Sequence, residues 1–99
     1  MKQFITALIL SALMATTAQA QDTEWCDGIY DDAETIMKGR QMGLDIRDMI
    51  KQAGDRQLYV DMIKLAYKQP KYSSETMREN VINEFTEGFY MACLDTTSD

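Results

Sequence analysis

The chain has 99 residues, 45% apolar and 26% charged, with 16 acidic against 10 basic side chains, two cysteines and no histidine. That length suits one domain, and the acid excess excludes a nucleic-acid binder, whose phosphate partners demand a basic surface. The missing histidine removes the commonest general base, the usual zinc ligand and every Ser-His or Cys-His nucleophile pair.

Residues 1–20 read as a secretory signal peptide. Lys2 gives the charged start, residues 4–15 the apolar stretch, and Ala18-Gln19-Ala20 the small-x-small cleavage site. The apolar stretch is short and interrupted by Thr6 and Ser11, which argues against a membrane anchor. Gln21, not cysteine, follows the cleavage site, so lipidation is not expected. The expected product is one helical domain, residues 21–99, periplasmic or secreted, with no stable membrane insertion. Cys26 and Cys93 are expected to pair in that oxidising compartment. The closed loop would contribute about 4 kcal/mol by chain entropy, a large share for so small a core.

The periodicity of residues 21–99 is helical throughout. A first helix is predicted over 23–42, with apolar positions Trp25/Cys26, Ile29/Tyr30, Ala33 and Ile36/Met37. Its acids crowd the first turns, Lys38 and Arg40 fall near its end, and Gly43 suits a left-handed stop. Asp45 is predicted to cap a short second helix whose Ile46, Met49, Ile50 and Ala53 face inward before Gly54. Asp55 is predicted to cap a third, carrying Leu58/Tyr59, Met62/Ile63 and Ala66 and ended by Pro70. The fourth is predicted over 75–94, capped by Ser73 or Ser74, with the stripe Met77, Val81/Ile82, Phe85, Phe89 and Ala92/Cys93. Thr76 and Glu79 also match a capping box, which would start it slightly later. Residues 95–99 read as a frayed tail. The fold class is therefore all-α: a small four-helix domain stapled by one disulfide. The cysteines imply that the first and last helices lie side by side, parallel with an offset or crossed.

Charge is uneven. Asp22, Glu24, Asp27, Asp31, Asp32 and Glu34 precede the first base of the mature chain, and the C-terminal stretch from Tyr72 holds only Arg78 against six acids. The disulfide would gather both acidic ends, a surface that steers a cationic protein partner. Asp27, Asp31, Asp32 and Glu34 are thus candidate contact residues. Tyr67 and Tyr72, bracketing Pro70, are candidate exposed aromatics, whereas Tyr30 and Tyr59 read as core. A basic middle (Arg47, Lys51, Arg56, Lys64, Lys68, Lys71) is a second docking candidate.

Asp27, Asp31 and Glu34 share one helical face, but a first-turn acid cluster is an ordinary dipole complement, and no metal or catalytic site is assigned. Met37, Met42, Met49, Met62, Met77 and Met91 lack the close spacing that copper needs and read as core filler or adaptable surface. No cofactor is expected.

Cys26, Ile36-Met37, Arg40-Gln41-x-Gly43, Ala66-Tyr67 before Pro70, Glu84-Phe85 and Cys93 together resemble small secreted two-cysteine helical proteins of proteobacteria and their phages and prophages. The resemblance spans nearly all of residues 21–99. It implies export, helices and the disulfide, and brings no assigned activity and no site residue. Arg40 and Gln41 read as last-turn residues that bond the free carbonyls of their own helix. The function expected is non-enzymatic: an exported binding or inhibitor-type protein, phage- or envelope-related, working through protein contacts. The alternative is an acid- or stress-responsive periplasmic chaperone, and an enzyme built on the carboxylate cluster comes third.

Overall fold

The computed structural model describes residues 23–97, and the signal-peptide reading of 1–20 lies outside the described residues. Four helices and no strand are present among them: α1 (23–42), α2 (Ile46–Ala53), α3 (Gln57–Lys68) and α4 (Glu75–Thr97). Cys26 and Cys93 form the disulfide, their Cα atoms 5.6 Å apart.

The disulfide joins the start of α1 to the end of α4, so the two run antiparallel. Tyr30 meets Tyr90 edge-on at 5.6 Å further along, and Lys38 and Gln41 share a hollow with Glu75 and Arg78 at the far end. This corrects the expectation of a parallel or crossed pair: a bridge between opposite chain ends of two adjacent helices favours the antiparallel course. Helix α3 runs with α1 and against α4. Leu58, in its first turn, lies by Trp25 and Thr96, whereas Lys68 lies by Glu84.

The core joins all four helices through Ala33, Ile36 and Met37 of α1, Met49 and Ala53 of α2, Met62, Ile63 and Ala66 of α3, and Val81 of α4. Gly39 lets α2 lie close on α1, because a Cβ there would stand 3.2 Å from Leu44 and 3.3 Å from Met49. Gly43 ends α1 at φ +86°, a conformation that disfavours any Cβ. Thr86 is buried, and its hydroxyl has no hydrogen-bond partner among the described residues.

Asp45 caps α2 as expected, its carboxylate accepting from the Arg47 N–H at 2.7 Å. Ser74 caps α4, its Oγ accepting from the Met77 N–H at 3.4 Å. Asp55 does not cap α3. It falls in the turn, the cap position is Arg56, whose side chain makes no capping bond but donates to the Ala53 carbonyl at 3.4 Å and places its guanidinium 4.1 Å over the Tyr59 ring. The stretch 95–97 continues α4 rather than fraying, and the Thr96 hydroxyl donates to the Ala92 carbonyl at 2.7 Å. Ile46, Leu58 and Met77, expected inside, are exposed.

Candidate functional site

The two ends of the molecule differ in kind. At the end away from the disulfide, α1 grips the α3–α4 connector. The buried Gln41 donates from Nε2 to the Pro70 carbonyl at 2.9 Å and accepts the Tyr72 N–H on Oε1 at 2.9 Å. Arg40 donates to the Gln69 carbonyl at 3.1 Å and lies 5.0 Å from the Tyr67 ring centre. The Tyr67 hydroxyl donates to the Leu44 carbonyl at 2.6 Å. Burial pushes the Tyr67 hydroxyl above the ordinary tyrosine pKa, with Asp45 and Asp48 adding to the rise and Arg40 opposing it.

Arg40 and Gln41 therefore bond a distant connector, not the carbonyls of their own last turn. A glutamine amide presents a donor and an acceptor side by side, which matches a backbone C=O and N–H two residues apart. Tyr67 and Tyr72 are half-buried against the core, contrary to the exposure expected of them. Short motifs scattered along the chain thus meet at one structural clamp.

At the disulfide end, Asp27 and Asp31 are exposed, and Asp32 and Glu34 are half-buried. Glu34 pairs with Lys38 at 3.6 Å on the surface. Asp27 and Asp31 line a shallow hollow with Tyr30 and Tyr90. Asp32 is on another flank, since five residues turn a helix by about 140° from Asp27. The structure thus brings Asp27 and Asp31 together and separates Asp32 from them. Partial burial and the Asp27 carboxylate, which accepts its hydrogen bond, raise the Tyr90 hydroxyl pKa. No group of three or more metal-ligating side chains stands together among the described residues.

The apolar surface lies elsewhere. α3 packs closely on α2 but stands further from α4, leaving an open groove of about 450 Å³. Leu65 forms one wall, and Phe85, Gly88, Phe89 and Ala92 form the other wall and floor. It continues into a second hollow of about 320 Å³ that shares Phe89 and Ala92 and is closed by Trp25, Ile29 and Leu58. Trp25 is 61% exposed, and Leu58 and Leu65 are each 46% exposed.

Sequence reasoning placed Trp25 and Leu58 inside and gave Leu65 no role. Two features do signal this face. Leu58 and Leu65 are seven residues apart, a second apolar edge beside the Met62/Ile63/Ala66 stripe. Gly88 stands in the middle of the continuous α4, and a Cβ there would meet nothing within 4 Å. A mid-helix glycine costs about 1 kcal/mol against alanine, and internal packing does not require this one.

No helix among the described residues is long and apolar enough to cross a membrane. Compared with known proteins, the chain matches no family model, no curated protein and no solved structure.

Proposed function

We propose that residues 21–99 are an exported, non-enzymatic binding or inhibitor-type protein that contacts another protein across the apolar groove of α3 and α4. The observation that carries this reading is the continuous apolar surface from Trp25 through Leu58 to Leu65, floored by Phe89 and Ala92. An apolar patch with a polar rim is the usual mark of a protein contact. Export is supported by the leader pattern of residues 1–20 and by a disulfide of the kind that persists in oxidising compartments. The absence of histidine supports the non-enzymatic reading. The resemblance to phage-borne secreted proteins makes an envelope-directed inhibitor its concrete form. Asp27 and Asp31 lie off this groove, so their part is long-range steering of a cationic partner.

A stress chaperone is the second reading, because an apolar face already open would also hold unfolded clients. Pull-down from envelope extract at neutral and acidic pH separates them, using the mature protein and its Gly88→Gln variant, which fills the groove without changing charge. One stoichiometric partner, lost in the variant, supports the binding protein. A broad client set, at neutral pH or widening in acid, supports the chaperone. Equal retention of one partner by parent and variant would remove the groove from the account.

A further inference from the structure

We propose that the Cys26–Cys93 bridge is a redox latch, opened by an external dithiol at Cys93, that holds the C-terminal end of α4 onto a domain whose core lies elsewhere. The two cysteines are not equally placed. Cys26 is 0% exposed, whereas Cys93 is half-buried and lines the open hollow of about 320 Å³ beside Trp25, Leu58 and Thr96. Exchange needs a thiolate to reach one sulfur in line with the bond that breaks. Only Cys93 offers an approach. The incoming thiolate therefore bonds to the Cys93 sulfur, and the electron pair of the S–S bond leaves on Cys26, which takes a proton from water. The second thiolate of the dithiol then attacks its own sulfur in the mixed disulfide and displaces Cys93. The reagent departs oxidised to a disulfide, and the protein keeps two thiols.

The packing of α4 changes close to the same end. Val81 and Thr86 are buried, but no residue from 87 to 96 is. Past Thr86, Phe89 packs on the edge of the core, Tyr90 meets Tyr30 edge-on, and the bridge supplies the covalent tie. Gly88 stands at the boundary. Its low helix propensity, with nothing around its Cβ position, makes this the easiest place for α4 to open. Cutting the bridge therefore frees a segment that buries little, a local opening and not the loss of the whole domain.

Opening would also carry Phe89 and Ala92 away from the α3–α4 groove. On the reading of that groove as a contact face, reduction switches the contact off. The latch itself does not depend on that reading, and its test needs no partner.

Two measurements on the mature protein test it. Brief exposure to reduced glutathione, an acid quench and peptide mapping read which sulfur is attacked. The adduct should sit on Cys93, with Cys26 as the free thiol, in at least about tenfold excess over the reverse. Equal adducts would mean that the domain must unfold before attack, and would overturn the route through Cys93. Hydrogen exchange in excess dithiothreitol then follows the segment. The protection of residues 89–94 relative to 81–86 should fall by at least about tenfold on reduction, while circular dichroism retains most of the helix. Cys26→Ser/Cys93→Ser should reproduce that profile without reductant. Gly88→Ala, which raises helix propensity at the boundary, should recover about fivefold of the lost protection. No recovery would overturn the assignment of the hinge to Gly88. An unchanged ratio, or loss of all helix on reduction, would overturn the latch.

Discussion

Replacing Gln41 by leucine tests the clamp that holds the α3–α4 connector against α1. The side chain is 4% exposed and makes two 2.9 Å hydrogen bonds, one to the Pro70 carbonyl and one from the Tyr72 N–H. Each neutral bond contributes about 1 kcal/mol net, and its backbone partner, on the exposed Pro70 or the half-buried Tyr72, can turn to water once the bond is lost. Leucine has nearly the right volume, so the cavity contribution is small, and the expected loss is about 2 kcal/mol. Against a total of about 4–12 kcal/mol for a domain this size, that is a large fraction. Urea unfolding followed by circular dichroism measures it, and Tm should fall by about 4–8 °C per kcal/mol.

Gln41→Glu sharpens the test. An ionised carboxylate can accept from Tyr72 but cannot donate to Pro70, whereas the protonated acid can do both. Burial and the facing carbonyl therefore raise the folded pKa of the introduced acid above its unfolded value. Its stabilising contribution is then present below about pH 4, the unfolded range, and lost as pH rises through the folded value. The stability gap to the parent should widen from acid to neutral pH. A Gln41→Leu loss below about 0.5 kcal/mol, or a Gln41→Glu gap that ignores pH, would refute the two-bond account.

Three further substitutions probe other parts of the fold. Cys26→Ala/Cys93→Ala should lose about 2–5 kcal/mol in denaturant unfolding, because it releases the long loop in a domain with a thin core. Coincident midpoints would show that packing suffices. Thr86→Val removes a buried hydroxyl without a partner and should stabilise the domain by about 1 kcal/mol, and a loss of stability would mean that the hydroxyl is satisfied in solution. Tyr67 has a raised pKa, so its neutral hydroxyl contributes stability fully below about pH 10, and that contribution is lost as pH climbs through the folded value. Tyr67→Phe should therefore cost about 1 kcal/mol at neutral pH and flatten the alkaline decline.

Helix positions were legible because apolar spacing and capping residues are local signals. The boundaries of α1, the Asp45 cap and the start of α4 at Glu75 follow from them directly. Asp55 misled because the Gly54 turn runs one residue further, so that Arg56 takes the cap position. Arg40 and Gln41 have two uses compatible with a last helical turn. Only the return of the connector to α1 decides between them, and that contact joins residues far apart in the chain. Trp25 and Leu58 sit on periodic stripes, yet they border the core at the gap between α3 and α4. Periodicity finds the apolar side of a helix but does not say how closely its neighbour stands. Helical spacing also puts Asp27 and Asp31 on one face of α1 without Asp32. That Tyr90 of α4 joins them is set by the antiparallel packing of the two helices, which local spacing does not contain.

The central claim is that the α3–α4 face contacts a protein, and site-directed photo-crosslinking tests it most directly. A photoreactive side chain at Leu65, on the groove wall, is compared with one at the exposed Thr35, across α1 from the core. In living envelope, position 65 should yield one discrete adduct that Gly88→Gln abolishes, and position 35 should yield none. Adducts of equal strength at both positions, or none at 65 when 35 crosslinks, would contradict the account.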